Sequence, residues 1–493
     1  MGIIIKQGSK NAIYTYLGFL IGAIYTAILI PKVFMDHPEY WGAARLLTSY
    51  AFILAPWIML GSPMAIIKFF PEFRNKSLGK FLFAITFWVG IGIIISSIGL
   101  FFFSQWWFQG AENNVFTDNY YLIYPLLLGY ILFEISSAIA KSLYKSVITV
   151  ALKEFFLRLI ILSIILLFWF DIISFVTFLY IYSFAYLIVF IPLFISLLKN
   201  KEITLLPDFH FLLSKNMTRV YIYALFTILS TGAAIFLTQI DTLMISEYLD
   251  LKDVAIYGPS MFIATAIVVP SRSIMAIVNP MVANAWATNS IDTIKDLYKK
   301  TSIAPLTLTI FLFLVIWINI DLIMYYYGKD FGQGKYIVLF ISLGNIINIS
   351  TGINGTIINT SKYYKADIVF QIILVVLTVI TNILLIPKYG INGAALATGI
   401  TILIYNLIKL GYVYTVLKIH PFSIKTLIVG LIGIIFFIGI NNMAKPDSLF
   451  LSSILYTVII SVLYPIIIYK FHISSDINDL IDSVIQKLRI KKQ

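Results

Sequence analysis

Residues 366–417 read ADIVFQIILVVLTVITNILLIPKYGINGAALATGITILIYNLIKLGYVYTVL, two apolar runs on either side of Pro387-Lys388-Tyr389-Gly390. A helix that crosses the hydrocarbon of a bilayer needs about 20 predominantly apolar residues. The runs 366–386 and 391–417 both have that length, and the proline and glycine between them supply a turn. This stretch predicts two neighbouring membrane spans with almost no loop between them. Working outward, similar runs lie at 11–34, 43–69, 79–104, 119–140, 147–170 and 172–198. After a polar interval they resume at 219–246, 252–284, 300–324 and 336–360, and beyond the quoted pair at 424–443 and 449–470. The expectation is an all-α polytopic membrane protein with about fourteen transmembrane helices.

Composition supports that class. Of 493 residues 60% are hydrophobic and 12% charged, with a mean hydropathy of +0.94. Soluble domains carry about 25% charged residues, so this chain cannot cover a globular surface with polar groups. A water-soluble enzyme and a disordered scaffold are both excluded. The net charge of +12 is first a question of topology, because cytoplasmic loops are enriched in Lys and Arg. With the N-terminus inside, 26 of the 35 basic residues fall on cytoplasmic segments and 7 on the opposite side, while Arg272 and Lys409 lie within spans. A missed or false helix would invert the alternation downstream of it. The bias therefore predicts N- and C-termini in the cytoplasm and gives no reason to expect nucleic acid as a partner.

The loops exclude most catalysis. The longest connection, near 199–218, is too short for a soluble catalytic domain. The chain has no cysteine, its four histidines are scattered, and it lacks the G-x-x-x-x-G-K-[ST] phosphate loop. An internal similarity points to a carrier instead. Glu39-Tyr40-Trp41-Gly42-Ala43 enters the second span, and Ala255-Ile256-Tyr257-Gly258-Pro259 enters the eighth. Prolines follow in both, at 56, 63 and 71 and at 259, 270 and 280. Both copies start inside, so the repeat is parallel. It predicts an N-lobe at 1–200, a cytoplasmic linker at 201–218, a C-lobe at 219–418, an accessory pair at 419–473 and an amphipathic tail at 474–493. Proline frees backbone groups, which a membrane tolerates only beside protein or water. Spans 2 and 8 are thus expected to be broken at matching positions and to line a cavity.

Several stretches together resemble a known family. Ser9-Lys10-Asn11, Glu39-Tyr40-Trp41-Gly42, Gly61-Ser62-Pro63 and Phe69-Phe70-Pro71-Glu72-Phe73 resemble the opening of the polysaccharide transporters. Gln239-Ile240-Asp241-Thr242-Leu243-Met244-Ile245 with Ile256-Tyr257-Gly258, and the run from Asn382 to Thr398, continue the likeness. That family includes the O-antigen (Wzx-type) flippases of the multidrug/oligosaccharidyl-lipid/polysaccharide superfamily. The resemblance implies a flippase, not an enzyme. It would move undecaprenyl-diphosphate-linked oligosaccharide from the cytoplasmic to the periplasmic leaflet of a bacterial plasma (inner) membrane by alternating access. It implies membrane lipids as surroundings, polysaccharide polymerase and chain-length proteins as partners, no bound cofactor, and coupling to a Na+ or H+ gradient. A cation-coupled multidrug exporter of the same superfamily and a membrane polysaccharide polymerase are the alternatives.

Charged residues in or near spans are the candidate site. An intramembrane Arg costs about 2.5–3.5 kcal/mol on insertion scales, so Arg272 should face a cavity or a partner, and a guanidinium fork suits a diphosphate. A structural pair with Asp241 or Glu134 is the plainer reading. Lys409 is a second candidate, although its ammonium can snorkel to the inner surface. Arg45 is a candidate contact or an anchor beside Trp41, and Lys68 a recruiter of the headgroup or a topology signal. Arg158 is a candidate contact that an i,i+4 pair with Glu154 would also explain. Asp241 and Glu134 are the acids available for ion coupling or for salt bridges.

Overall fold

The computed structural model describes residues 2–107, 114–199, 206–443, 448–474, 477–479 and 482. It is 88% helical, with no strand among the described residues. Ten helices there are long and apolar enough to cross a membrane, or eleven if a bent pair is one span. Every expected span coincides with helix, but the count of fourteen is not reached, for three local reasons.

The fifth span is divided by a π-helical turn, Ala151–Phe156, between Ser146–Val150 and Leu157–Trp169. This turn carries Lys153 and Glu154, so the segment is neither regular nor wholly apolar. The tenth span stops at Ser350 and resumes as Asn354–Asn359 across Gly352, whose φ is +61°. Residues 364–417 form a single 54-residue element with Gly390 non-helical inside it. At 1.5 Å per residue that is about 80 Å of helix, against about 30 Å of hydrocarbon. The element has the length of two crossings, and Gly390, at φ +59° and ψ −141°, is the place where the chain turns. The break expected near Asp171 is present: Leu157–Trp169 ends, Asp171 adopts φ +55°, and Phe175–Lys199 begins.

The chain forms two compact units, Met1–Gly258 and Pro259–Gln493. In the first, small residues set the packing, as in other membrane helices, where close backbone approach replaces the hydrophobic effect. A Cβ on Gly18 would stand 1.9 Å from the Glu154 carbonyl oxygen, and one on Gly42 would stand 1.9 Å from that of Leu251. Gly22, one turn after Gly18, leaves room for the Arg158 guanidinium, whose Nη1 would lie 3.1 Å from a Cβ there. Aromatic rings pack together in this unit: Phe34 stacks on Phe168 at 5.4 Å and meets Phe178 edge-on at 5.6 Å. In the second unit, Val278, Val282, Ile294, Tyr298, Ile357 and Phe370 form the centre of a buried apolar cluster.

Spans 2 and 8 are broken, but in different ways and places. Pro56 stands within Pro38–Met59 without ending it. The break follows at Leu60 and Gly61, both left-handed at φ 50° and 71°, and Ser62–Phe73 restarts with Pro63 in its first turn. In the eighth span Leu251–Ala266 and Val269–Ala287 meet at a 56° bend, again with a proline, Pro270, opening the second half. Proline in a first turn costs no hydrogen bond and fixes φ for the helix. The two breaks do not share a register: the first helix has 22 residues before it breaks and the second has 16. Packing of Gly61 against the Ala224 carbonyl, where a Cβ would come within 2.0 Å, fixes the first break at its own position.

The polar segment before the seventh span is tied down by Asp208, which accepts from Phe211 N–H at 3.0 Å and pairs with Lys80 at 2.8 Å. The expected tail helix falls almost entirely outside the described residues. Hydrogen bonding from Lys80 and the Phe211 N–H holds the Asp208 carboxyl below its usual range. A lowered folded value means stability that is present above the ordinary carboxyl pKa and is lost as pH falls through the lowered one. The Asp208→Asn variant should therefore show a flatter loss of thermal stability below about pH 4 than the wild type. Overpacking at a tight glycine costs about 1–3 kcal/mol. Gly42→Ala should accordingly lower the unfolding temperature in detergent, whereas Gly90→Ala, with nothing within 4 Å of the new methyl, should not.

Candidate functional site

The break in span 2 exposes backbone and side chains to a cavity of about 150 Å³, walled by Pro56, Met59, Gly61, Pro63, Met64, Tyr130, Glu134, Thr231 and Ile235. Glu134 is the one acid in that wall. Its carboxylate is ion-paired with Lys153, whose ammonium also stands 5.6 Å from the Tyr130 ring centre. Tyr130 in turn meets Tyr186 edge-on at 5.2 Å. Lys153 and Arg158, which charge counting places at the inner edge, lie within the continuous helical run from Ser146 to Trp169. The π-helical turn inserts an extra residue and re-aims side chains, so Lys153 points toward Glu134 while Glu154 pairs with Arg158 at 2.8 Å. The i,i+4 explanation of Arg158 holds. That guanidinium is engaged with an acid and lies over Gly22.

Arg45 is half-buried one turn after Trp41, and its Nε lies 3.9 Å from the position of a Cβ on Gly258. Among the described residues it forms no ion pair. Arg45 and Arg158 both act electrostatically on the Tyr25 hydroxyl, so the fold brings these two candidates into one neighbourhood. Asp241 is buried and accepts from the Tyr257 hydroxyl at 2.7 Å. Nearby in sequence, Gln239 accepts from Ser49 at 2.9 Å. The seventh span is thus hydrogen-bonded to the second span through Ser49 and to the entry motif of the eighth through Tyr257. Lys68 is exposed and stacks over Tyr223 at 3.7 Å, and the neighbouring Arg219 pairs with Glu72 and lies 5.4 Å from the Phe69 ring.

In the second unit Arg272 lies in the first turn of Val269–Ala287, exposed, with no ion pair among the described residues. Glu134 has Lys153 as its partner and Asp241 has Tyr257. Lys409 does not snorkel: its side chain is 7% exposed, with Asp367 at 3.8 Å and the Tyr405 hydroxyl at 3.2 Å. Gly355 makes the space, since a Cβ there would come within 2.8 Å of the ammonium. Asn406, one residue after Tyr405, accepts from Thr351 at 3.0 Å and donates to Asn348 at 3.1 Å. Sequence reasoning missed Lys153 and Asp367 as partners. For the second pair a signal existed, because Asp367 and Lys409 are nearly equidistant from the turn at 387–390 and so lie level in a helical hairpin.

Removing one member of a buried pair strands the other, at a cost of about 3–5 kcal/mol. Lys409→Met and Asp367→Asn should each lower stability, and the double variant should recover most of the loss in a thermal unfolding cycle.

Comparison with known proteins gives these groups a context. Residues 227–384 match the MatE family model. The probable low-salt glycan biosynthesis flippase Agl15 of Haloferax volcanii is 22% identical over 263 residues, covering 51% of this chain. The match spans only about half, 56%, of that curated relative's length. Among solved structures, the lipid II flippase MurJ in an inward closed conformation superposes with a TM-score of 0.63 at 18% identity, covering 95% of this chain and all of that one. An inward-facing multidrug resistance MATE family transporter superposes with a TM-score of 0.57 at 12% identity, over 83% of this chain and 98% of that one. The chain therefore has the helical fold of these flippase and transporter structures, and the MatE match falls on its residues 227–384.

Proposed function

We propose that the protein is a flippase for lipid-linked oligosaccharide, carrying an undecaprenyl-diphosphate-linked repeat unit of a surface polysaccharide from the cytoplasmic to the periplasmic leaflet. The observation that carries the reading is Arg272, an exposed guanidinium in a span, beside a 56° bend, with no ion pair among the described residues. A cation kept there against its desolvation cost suits an anionic headgroup. The diphosphate and sugars need a hydrated path, while the polyprenyl tail can stay in the lipid. Arg45 is another guanidinium within a span with no ion pair among the described residues, and the flippase likenesses of the previous section point the same way. In this reading residues 1–200 and 219–418 are two lobes of a parallel repeat, joined by the linker 201–218 and followed by the accessory pair. Both termini lie in the cytoplasm of a bacterial inner membrane.

The likeness to a multidrug transporter and the MatE segment favour a second reading, a cation-coupled exporter of small molecules. Against it stands the pairing of Glu134 with Lys153, which occupies the acid such a carrier would need in its first six spans. The relatives named above are flippases and transporters, which leaves the polymerase alternative without support.

A charge-assisted contact is worth about 1.5–3 kcal/mol, roughly tenfold to a hundredfold in binding. Arg272→Ala should reduce surface-polysaccharide export by that factor in a complementation assay, with folded protein still in the membrane, and Arg272→Lys should retain part of it. Full export by Arg272→Ala would sink the headgroup role, and drug efflux without any effect on glycan export would favour the exporter.

A further inference from the structure

Glu134 has the surroundings of a cation site. It sits in the wall of a cavity large enough for several waters or a hydrated ion. That cavity also meets the C-terminal end of Pro38–Met59, where the last carbonyls have no helical partners and the helix dipole is negative. Across it stand the hydroxyl-bearing Tyr130 and Thr231. A carboxylate, a helix C-terminus and hydroxyls are oxygen donors suited to a hard monovalent cation.

The chain supplies a cation of its own. Lys153 reaches Glu134 from the π-helical turn of the fifth span, while the other charge of that turn, Glu154, pairs with Arg158 in the next helical segment. The ammonium also has the Tyr130 ring 5.6 Å away. It is therefore held on two sides, by charge and by the ring quadrupole. The groups bearing on Glu134 are thus Tyr130 on its own helix, Lys153 on the fifth span, Tyr186 on the sixth and Thr231 on the seventh.

We propose that Lys153 is the tethered resident cation of the Glu134 site. The carboxylate then takes up no Na+ from solution, and removing the ammonium converts the cavity into a Na+ site. The inference depends on the transporter reading only for its meaning in turnover; binding is read on purified protein, so a failure here and a failure of the flippase reading are separable.

The experiment measures thermal unfolding of the detergent-purified protein between 1 and 100 mM NaCl, with choline chloride holding ionic strength constant. Wild type and Lys153→Arg are expected to show no shift specific to Na+. Lys153→Met is expected to gain about 2–4 °C, and Lys153→Met with Glu134→Gln to lose that gain. A Na+ shift in the wild type that Glu134→Gln removes overturns the proposal, and so does a folded Lys153→Met indifferent to Na+. If Lys153→Met does not fold, wild type and Lys153→Arg still decide, since a shift in either that depends on Glu134 overturns it.

Discussion

A charge placed inside a membrane span must bring its partner with it or stand beside water. In the first unit Glu134 has Lys153 and Glu154 has Arg158, and in the second Lys409 has Asp367. Each pair dictates local geometry. The π-helical turn at Ala151–Phe156 gives Lys153 its direction, Gly22 makes way for Arg158, and Gly355 makes way for Lys409. Arg272 and Arg45 stand apart from this pattern, with no ion pair among the described residues.

The same logic governs the backbone. Hydrocarbon offers no hydrogen bonds, so a helix can be interrupted only where other groups or water meet the freed carbonyls and amides. Among the described residues such interruptions include Leu60-Gly61, Gly328, Gly352 and Gly390, and the bend before Val269. Beside Gly352 the Ser302 hydroxyl donates to the Ser350 carbonyl at 2.6 Å, and the side chains of Asn406, Thr351, Asn354 and Asn348 form a connected amide and hydroxyl network next to it. Satisfied networks of this kind rigidify a buried site.

The class of fold was fully legible in composition and run length, because bilayer thickness sets a length scale that the apolar stretches from residue 11 to residue 470 obey. The count of spans was less so. Regularity within a stretch depends on π-helical turns and positive φ values, and a hydropathy profile registers neither. Pro63 and Pro270 announced the broken helices, but their register depended on Gly61 meeting the Ala224 backbone, a contact between segments far apart in sequence. Among site residues, the Glu154–Arg158 pair could be read from spacing alone. Lys153 looked like one more inner-face cation because its partner is 19 positions away on another helix, and Lys409 looked able to reach the surface because nothing local revealed Asp367 beside it.

The two broken spans differ in mechanical character. At Leu60-Gly61 the chain holds two consecutive left-handed residues, one of them a leucine that bears a steric cost of about 1–2 kcal/mol. Straightening that joint means carrying both φ angles across forbidden space, so it behaves as a stiff elbow. At the bend before Val269 the connecting residue Val268 is already right-handed, at φ −89° and ψ −13°, and only hydrogen bonds are missing. That joint can flex without crossing a torsional barrier. The chain thus has a rigid corner in one broken span and a compliant one in the other, and the compliant corner carries Arg272.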